Sequence, residues 1–282
     1  MTERRAPRPR RAFRGEVRRT ERLTPRLVRV VLGGDGLRGF EAGRYTDHYV
    51  KLLFPPPGVR YPEPLDLEAI RSELPREQWP RMRTYTVRRW DPEAGELTID
   101  FVHHGPEGLA GPWAASAEPG DVLWFAGPGG AYAPDPEAPW HLLAGDESAL
   151  PAIAAALERL PADAVAHAFV EVAGPEDEIP LDAPAGARVT WVHRDGATVG
   201  DRLVAAVRAL EWPPGEPHAF VHGEAGFVKE LRRYLRVERG LPLDRLSISG
   251  YWRRGVDEDG WQSVKREWNR RVSEEEAAAL AS

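Results

Sequence analysis

The residues best suited to chemistry are Arg83-Thr84-Tyr85-Thr86-Val87-Arg88. Their β-branched and aromatic side chains predict a strand, with Arg83, Tyr85 and Val87 on one face and Thr84, Thr86 and Arg88 on the other. A cation and an aromatic plane then stand two residues apart, roughly 7 Å along one face. A long ligand with a flat head and an anionic body would engage both. A flavin dinucleotide has that shape: its ring stacks on Tyr85, its pyrophosphate meets Arg83, and Thr86 offers a hydroxyl or backbone N–H to the ring's polar edge. A half-buried barrel strand fits the same six residues, so the choice rests on the rest of the chain.

Two further stretches carry glycine where backbone N–H groups could meet phosphate. In His104-Gly105-Pro106-Glu107-Gly108-Leu109-Ala110-Gly111-Pro112-Trp113-Ala114, three glycines precede or open a helix whose positive end suits a pyrophosphate. Ordinary turn glycines at a helix entry read the same way. Gly145-Asp146-Glu147-Ser148-Ala149-Leu150-Pro151 is a strand–glycine–helix junction, although it lacks the G-x-G-x-x-G fingerprint. Arg194 lies at a strand end, where an NADPH 2′-phosphate or plain solvent would be its partner. The eight histidines show no metal-ligand spacing, and the chain has no cysteine. Thiolate catalysis, disulfides and a thiolate-held iron–sulfur cluster are thereby excluded. No side chain is singled out as an acid–base or nucleophilic catalyst, and no metal ligand is expected.

The elements that must position these residues fall into two patterns. Strands are predicted at Phe13–Thr20, Arg26–Leu32, Tyr45–Phe54, Arg83–Arg88, Glu96–His103 and Val122–Ala126, with turn residues between them. A Pro-rich excursion over 55–82 holds one helix, Leu67–Leu74, and has the length of a lid or binding loop. Short strands so spaced imply a closed, six-stranded antiparallel β-barrel. After Pro134–Pro139 the pattern changes. Strands at His141–Ala144, Val165–Val172, Arg188–Val192, Ala219–Val221 and Leu246–Ser249 alternate with helices at Ala149–Leu160, Thr198–Leu210 and Ala225–Arg239. That alternation implies a small α/β domain with a parallel sheet. The expected division is a disordered basic arm over 1–12, the barrel over 13–134, the α/β domain over 140–256 and a surface helical tail over 257–282.

Composition narrows the class. The 282 residues suffice for two cores, and the 42% apolar residues contain no run long enough to span a membrane. The arginine-rich N-terminus is followed by no apolar segment, so a signal peptide is not expected and cytoplasmic residence is the default. A net charge of −6 argues against nucleic-acid binding by the chain as a whole.

Barrel, Arg-x-Tyr-Thr, glycine-rich helix entry and α/β domain, in that order, resemble the ferredoxin-reductase-like flavoproteins. The resemblance is closer to one branch, the siderophore-interacting proteins, which are FAD-containing ferric-siderophore reductases. It is carried by Arg83–Arg88, by Asp100-Phe101-Val102-His103-His104-Gly105 with Gly111-Pro112-Trp113-Ala114, by Gly145–Ile153, by Val221-His222-Gly223-Glu224-Ala225, and by Gly250-Tyr251-Trp252-Arg253-Arg254-Gly255. It spans about Phe13 to Trp268, and the last motif is the most specific to the branch.

The resemblance implies that Tyr85 stacks on the isoalloxazine of FAD, with Thr86 at its reactive edge and Thr84 beside it. Arg83 and the segment from His104 to Ala114, with Gly105, Gly108, Ala110, Gly111, Trp113 and Ala114, would hold the pyrophosphate, and Asp100 and Val102 would also bind the cofactor. Asp146, Ser148 and Ala149 match the family's nucleotide-side loop, and Trp252 would also bind the cofactor. His103, where the family more often has an apolar residue, is read as structural. Lys51, Arg253 and Arg254 are the candidates for a cationic recess that takes the ferric siderophore. Electrons would come from NAD(P)H or a reduced ferredoxin, and the protein would act as a cytoplasmic monomer. A flavin reductase serving another acceptor, and a non-enzymatic siderophore carrier, are the alternatives; a carrier without flavin would be colourless.

Overall fold

A computed structural model describes residues 12–281. The basic arm, apart from Ala12, lies outside the described residues. The first sheet is antiparallel and barrel-like. Its strands are β1 (Ala12–Thr24), β2 (Leu27–Gly33), β3 (Tyr49–Phe54), β4 (Arg81–Thr86), β5 (Arg89–Asp91), β6 (Glu96–Val102) and β7 (Val122–Gly129), in the order β4-β3-β7-β1-β2-β6-β5. Two expectations are corrected. The sheet has seven strands rather than six, and no ladder closes it.

The physical reason lies at Val87 and Arg88. The Val87 N–H donates to the His48 carbonyl, continuing the β3 side, whereas the Arg88 N–H donates to the Thr98 carbonyl of β6. The chain thus steps from one sheet edge to the other within two residues. The strand predicted over 83–88 ends at Thr86 and the next begins only at Arg89, so the sheet stays open between β4 and β5.

β3 begins four residues later than predicted. Residues 45–48 leave the ladder because the Asp47 carboxylate accepts the N–H groups of Ala131 and Tyr132, both at 2.9 Å, while Thr46 N–H donates to the Tyr132 carbonyl. The barrel core packs Phe13, Phe40, Leu52, Leu97, Ile99, Phe101 and Phe125. The Pro-rich excursion carries α1 (Leu67–Glu73), whose N-cap Asp66 accepts from Glu68 and Ala69. Helix α2 (Ala110–Ser116) lies against β6. Gly111 permits this approach: a Cβ there would sit 2.7 Å from the Val102 carbonyl oxygen.

The second sheet is parallel. It comprises β8 (Trp140–Asp146), β9 (Ala166–Val172), β10 (Ala187–His193), β11 (Pro217–Glu224) and β12 (Leu246–Trp252), in the order β10-β9-β8-β11-β12. Helices α3 (Leu150–Arg159), α4 (Asp201–Arg208) and α5 (Ala225–Arg233) cover its faces. The predicted third helix ran to Arg239, but the α-helical hydrogen bonding ends at Arg233 and a π-helical turn carries the chain on to Glu238.

Finally α6 (Glu258–Ala281) is a single 24-residue helix. It was expected as a surface tail. Instead it is anchored by Trp261, which is fully buried, and by Val272. Glu276 accepts from Arg232 at 2.5 Å and Arg236 at 2.9 Å, fastening the helix to the α5 region. The two sheets are joined by ion pairs, Arg26 to Asp177 at 2.8 Å and Arg88 to Glu158, and by Arg159, which donates to the Arg44 carbonyl.

Candidate functional site

A cavity of about 930 Å³ runs between the two sheets. Its barrel wall is the β4 stretch Arg83, Thr84, Tyr85 and Thr86, with Lys51 from β3 and Asp100, Val102 and His104 from the end of β6. Its far wall is the β8–α3 junction, Asp146 to Ser148 and Pro151, with Arg194 and the β12 residues Ser247 to Ser249, Tyr251 and Trp252. The four β4 residues predicted to meet a dinucleotide therefore do lie on one cavity, and the predicted nucleotide loop faces them.

Tyr85 is backed by Phe101, ring centroids 4.6 Å apart, and Phe101 in turn by Trp113 at 5.6 Å. This aromatic stack fixes the Tyr85 ring beneath whatever lies in the cavity. Burial raises the Tyr85 hydroxyl above its ordinary range, so it is a neutral phenol at pH 7. Arg83 reaches Asp259 of α6 with both terminal nitrogens, each at 3.2 Å, and donates to the Met82 carbonyl at 2.7 Å. Its charge is held at the cavity edge, where an incoming diphosphate competes with a single exposed carboxylate.

Asp146 is fully buried and saturated. Oδ1 accepts from the Ser148 N–H at 2.9 Å and the Ser148 hydroxyl at 2.5 Å; Oδ2 accepts from the Glu224 N–H at 2.9 Å and the Trp252 indole at 2.8 Å. Burial, with Glu147 beside it, pushes the carboxyl up to about 6. Asp146 thus ties the ends of β8, β11 and β12 together, and it fixes Trp252 on the cavity wall. The tight turn needs Gly145, where a Cβ would approach Ala149 Cβ to 2.5 Å and the His222 carbonyl to 2.6 Å.

Other predicted site residues are placed differently. Asp100 lines the cavity, but its carboxylate is engaged bidentately by Arg29 at 2.7 and 2.8 Å. Ala110, Gly111 and Ala114 are buried against the barrel, and Trp113 packs on Phe54 and Phe101. Gly105 and Gly108 have positive φ, and a Cβ at either would meet nothing within 4 Å. None of these glycine-segment residues after His104 is on the cavity wall, and neither is Ala149. Arg253 and Arg254 are exposed beyond it; the Arg254 N–H donates to Glu224 at 3.2 Å. Neither arginine is among the residues that line the cavity with Lys51. Arg194 pairs with Glu147 and, at 3.4 Å, with Glu171, so two carboxylates already engage its guanidinium.

Sequence reasoning missed one wall entirely. Glu258, Gln262 and Lys265 of α6 line the cavity at its Lys51 end, and Asp47, His222 and Tyr251 also contribute. On a highly charged helix the first three read as a solvated face. One signal was available: Lys is scarce in this arginine-rich chain, and two of its three lysines, Lys51 and Lys265, face this cavity.

The residues present fit FAD. The cavity volume suits a large ligand, and the aromatic plane at Tyr85, the cation at Arg83 and the hydroxyl of Thr86 are in register along one strand. Fold and site together define a flavin-dependent oxidoreductase of the ferredoxin-reductase-like build. The chain belongs to the siderophore-interacting protein family: residues 16–132 match the siderophore-interacting FAD-binding domain and residues 138–255 the siderophore-interacting protein domain. Among relatives, the ferric vibriobactin reductase of Vibrio cholerae is 36% identical over 88% of this chain and 91% of its own. The NADPH-dependent ferric-chelate reductase of Escherichia coli is 34% identical over 84% of this chain and 91% of its own. A siderophore utilization protein from T. fusca is 42% identical, with a TM-score of 0.76 over 88% of this chain and 95% of that one. Among the described residues, no helix is long and apolar enough to cross a membrane.

Proposed function

We propose that the protein reduces Fe(III) held in a siderophore, in the cytoplasm, so that the iron leaves as Fe(II). The observation that carries this reading is the single cavity that joins a flavin-type wall, Arg83 to Thr86, to a cationic end at Lys51 and Lys265. The reductase names of the two relatives support it. Bound FAD supplies the conversion of a two-electron donor into single electrons.

The chain's own residues bind and orient. Tyr85, held by Phe101, gives the flat ring a rigid platform, and Thr86 meets its polar edge. Arg83 exchanges Asp259 for the pyrophosphate. The Asp146 network keeps Trp252 and the β8–α3 turn in place on the nucleotide side. Lys51 and Lys265 attract an anionic ferric complex to the end of the cavity nearest Tyr85. One chain builds every wall of this cavity, which favours action as a monomer.

The donor is NAD(P)H or a reduced ferredoxin. The pairing of Arg194 with two carboxylates weighs against a free 2′-phosphate site at that residue. The test is anaerobic mixing of the purified yellow protein with NADH, NADPH and reduced ferredoxin in turn, followed by a ferric siderophore. One donor should bleach the flavin, and the ferric complex should restore its colour with Fe(II) appearing in a trap. A colourless protein that takes up no added FAD would refute the redox reading.

A further inference from the structure

The carboxyl ends of β8, β9 and β10 lie side by side. Asp146 pairs in register with Glu171, and the Arg194 N–H donates to the Val172 carbonyl at 3.0 Å. Chain order runs outward through β8, β9 and β10 on one side of the sheet and through β11 and β12 on the other, so it reverses between β8 and β11. In such a sheet a dinucleotide lies across the carboxyl ends at the reversal, and an acidic residue about 20 positions past the first βα turn meets a ribose. Glu171 holds that place here, but it is fully buried and both its oxygens accept from the Gly200 N–H at 3.0 Å. Arg194 links Glu171, at 3.4 Å, to Glu147, which lines the cavity.

The charge at this edge is weighted to the acidic side. On the cavity wall contributed by β8 to β12 and their connections, Arg194 is the one fixed cation among the described residues, and two carboxylates already engage it. Other guanidiniums nearby are committed outside the cavity, Arg202 to Asp195 at 2.5 Å and Arg26 to Asp177 at 2.8 Å. Burial lowers the proton affinity of His104 on the barrel wall and holds the His222 ring down to about 3, so neither adds a charge at pH 7.

Resting on the flavin reading above, we propose that this edge selects NADH over NADPH as the electron donor, and that Glu147 is the residue that discriminates. Each Glu147 oxygen accepts from one Arg194 nitrogen and keeps a further lone pair, so the carboxylate can accept from the 2′- and 3′-hydroxyls of a ribose. A 2′-phosphate brings about −1.5 to −2 charge instead. Against Glu147 and Glu171 it meets like charge and finds no free guanidinium fork. Arg194 cannot turn to it without stranding Glu147, 7% exposed, and the fully buried Glu171.

The test uses the FAD-loaded protein and two redox-inert probes, ADP-ribose and 2′-phospho-ADP-ribose, titrated by calorimetry. Anaerobic bleaching of the flavin by NADH and by NADPH is followed alongside. The parent should bind ADP-ribose at least about tenfold more tightly than its 2′-phosphate, because juxtaposed like charges are strongly disfavoured. NADH should bleach the flavin faster than NADPH at low concentration of either. Glu147→Gln releases Arg194 from one carboxylate, and the affinity ratio should move toward the 2′-phosphate by about tenfold. Glu147→Asp keeps the charge and should keep the preference for ADP-ribose; it also decides the matter if the Gln variant loses FAD or its fold. Equal or tighter binding of the 2′-phosphate by the parent, binding of neither probe, loss of the preference in Glu147→Asp, or an unmoved ratio in a folded, FAD-loaded Glu147→Gln would each overturn the assignment. A parent that prefers NADH while its reduced flavin leaves ferric chelates intact would support this assignment and refute the reductase reading alone.

Discussion

Tyr85 and Asp146 represent two kinds of site residue: one offers a surface to the ligand, the other builds the wall. Tyr85→Ala removes a stacking plane worth roughly 1 kcal/mol beyond burial. The expected result is FAD binding about fivefold weaker and a shifted flavin spectrum, measured by titration of the apoprotein, with the circular dichroism spectrum unchanged. Asp146 makes no such offer, because all its hydrogen bonds go to protein donors. Its contribution should be read as stability. The folded carboxyl titrates at about 6, above its ordinary 3.8, so its stabilising effect is full below about pH 4 and fades as pH rises through 6. The gap in urea stability between the parent and Asp146→Asn should therefore shrink by about 3 kcal/mol between pH 4 and pH 7. A gap that stays constant over that range would mean that the group ionises as in water.

At the scale of elements, α6 changes the account most. Its first turns line the cavity at its Lys51 end, and Asp259 holds Arg83. Because that ion pair is half in solvent, breaking it costs little, about 1 kcal/mol or less. Asp259→Asn should free Arg83 and strengthen FAD binding by up to about fivefold, read in the same titration; weaker binding would mean that Asp259 positions Arg83 rather than competing for it. Trp261 is the anchor. Trp261→Ala opens a large hole where α6 meets β12 and should cost about 3–5 kcal/mol. Faster proteolysis between β12 and α6 should accompany the lower melting temperature.

This helix is also where the sequence was least legible. Alternation and turn residues were enough for the antiparallel-then-parallel order, because those patterns are local. The charge run after Gly255 also reads locally, as a solvated surface. Nothing local says that its first two turns lie under a second domain. The split at Val87-Arg88 was hidden for a related reason: a strand that changes partners keeps its alternation, and only the register of distant β3 and β6 reveals the step. At the site, Arg83 to Thr86 and His104 were legible because residue type and spacing both matter on a strand facing a ligand. Arg253 and Arg254 were assigned on charge and motif alone; β12 ends at Trp252, before both, and neither is among the cavity-lining residues.

For the whole molecule, charge sets the constraint. A chain of net charge −6 repels an anionic ferric catecholate at long range, so attraction must come from the local pair Lys51 and Lys265. Lys51→Ala should raise KM for the catecholate complex several-fold with FAD content retained. Arg254→Ala, at a residue that is not part of the cavity lining, should change KM much less. Both the Lys51 effect and the preference for a catecholate over a neutral hydroxamate should shrink between 0.1 M and 1 M salt, as the Debye length falls from about 10 Å to about 3 Å.

The central claim is that one cavity lets electrons pass from bound flavin to siderophore-held iron. It is tested most directly without any physiological donor. The FAD-loaded protein is reduced anaerobically with a stoichiometric chemical reductant and mixed with excess ferric tris-catecholate in the presence of an Fe(II) trap. The account predicts reappearance of oxidised flavin together with two Fe(II) per FAD. A flavin that stays bleached while the ferric complex remains intact would contradict it.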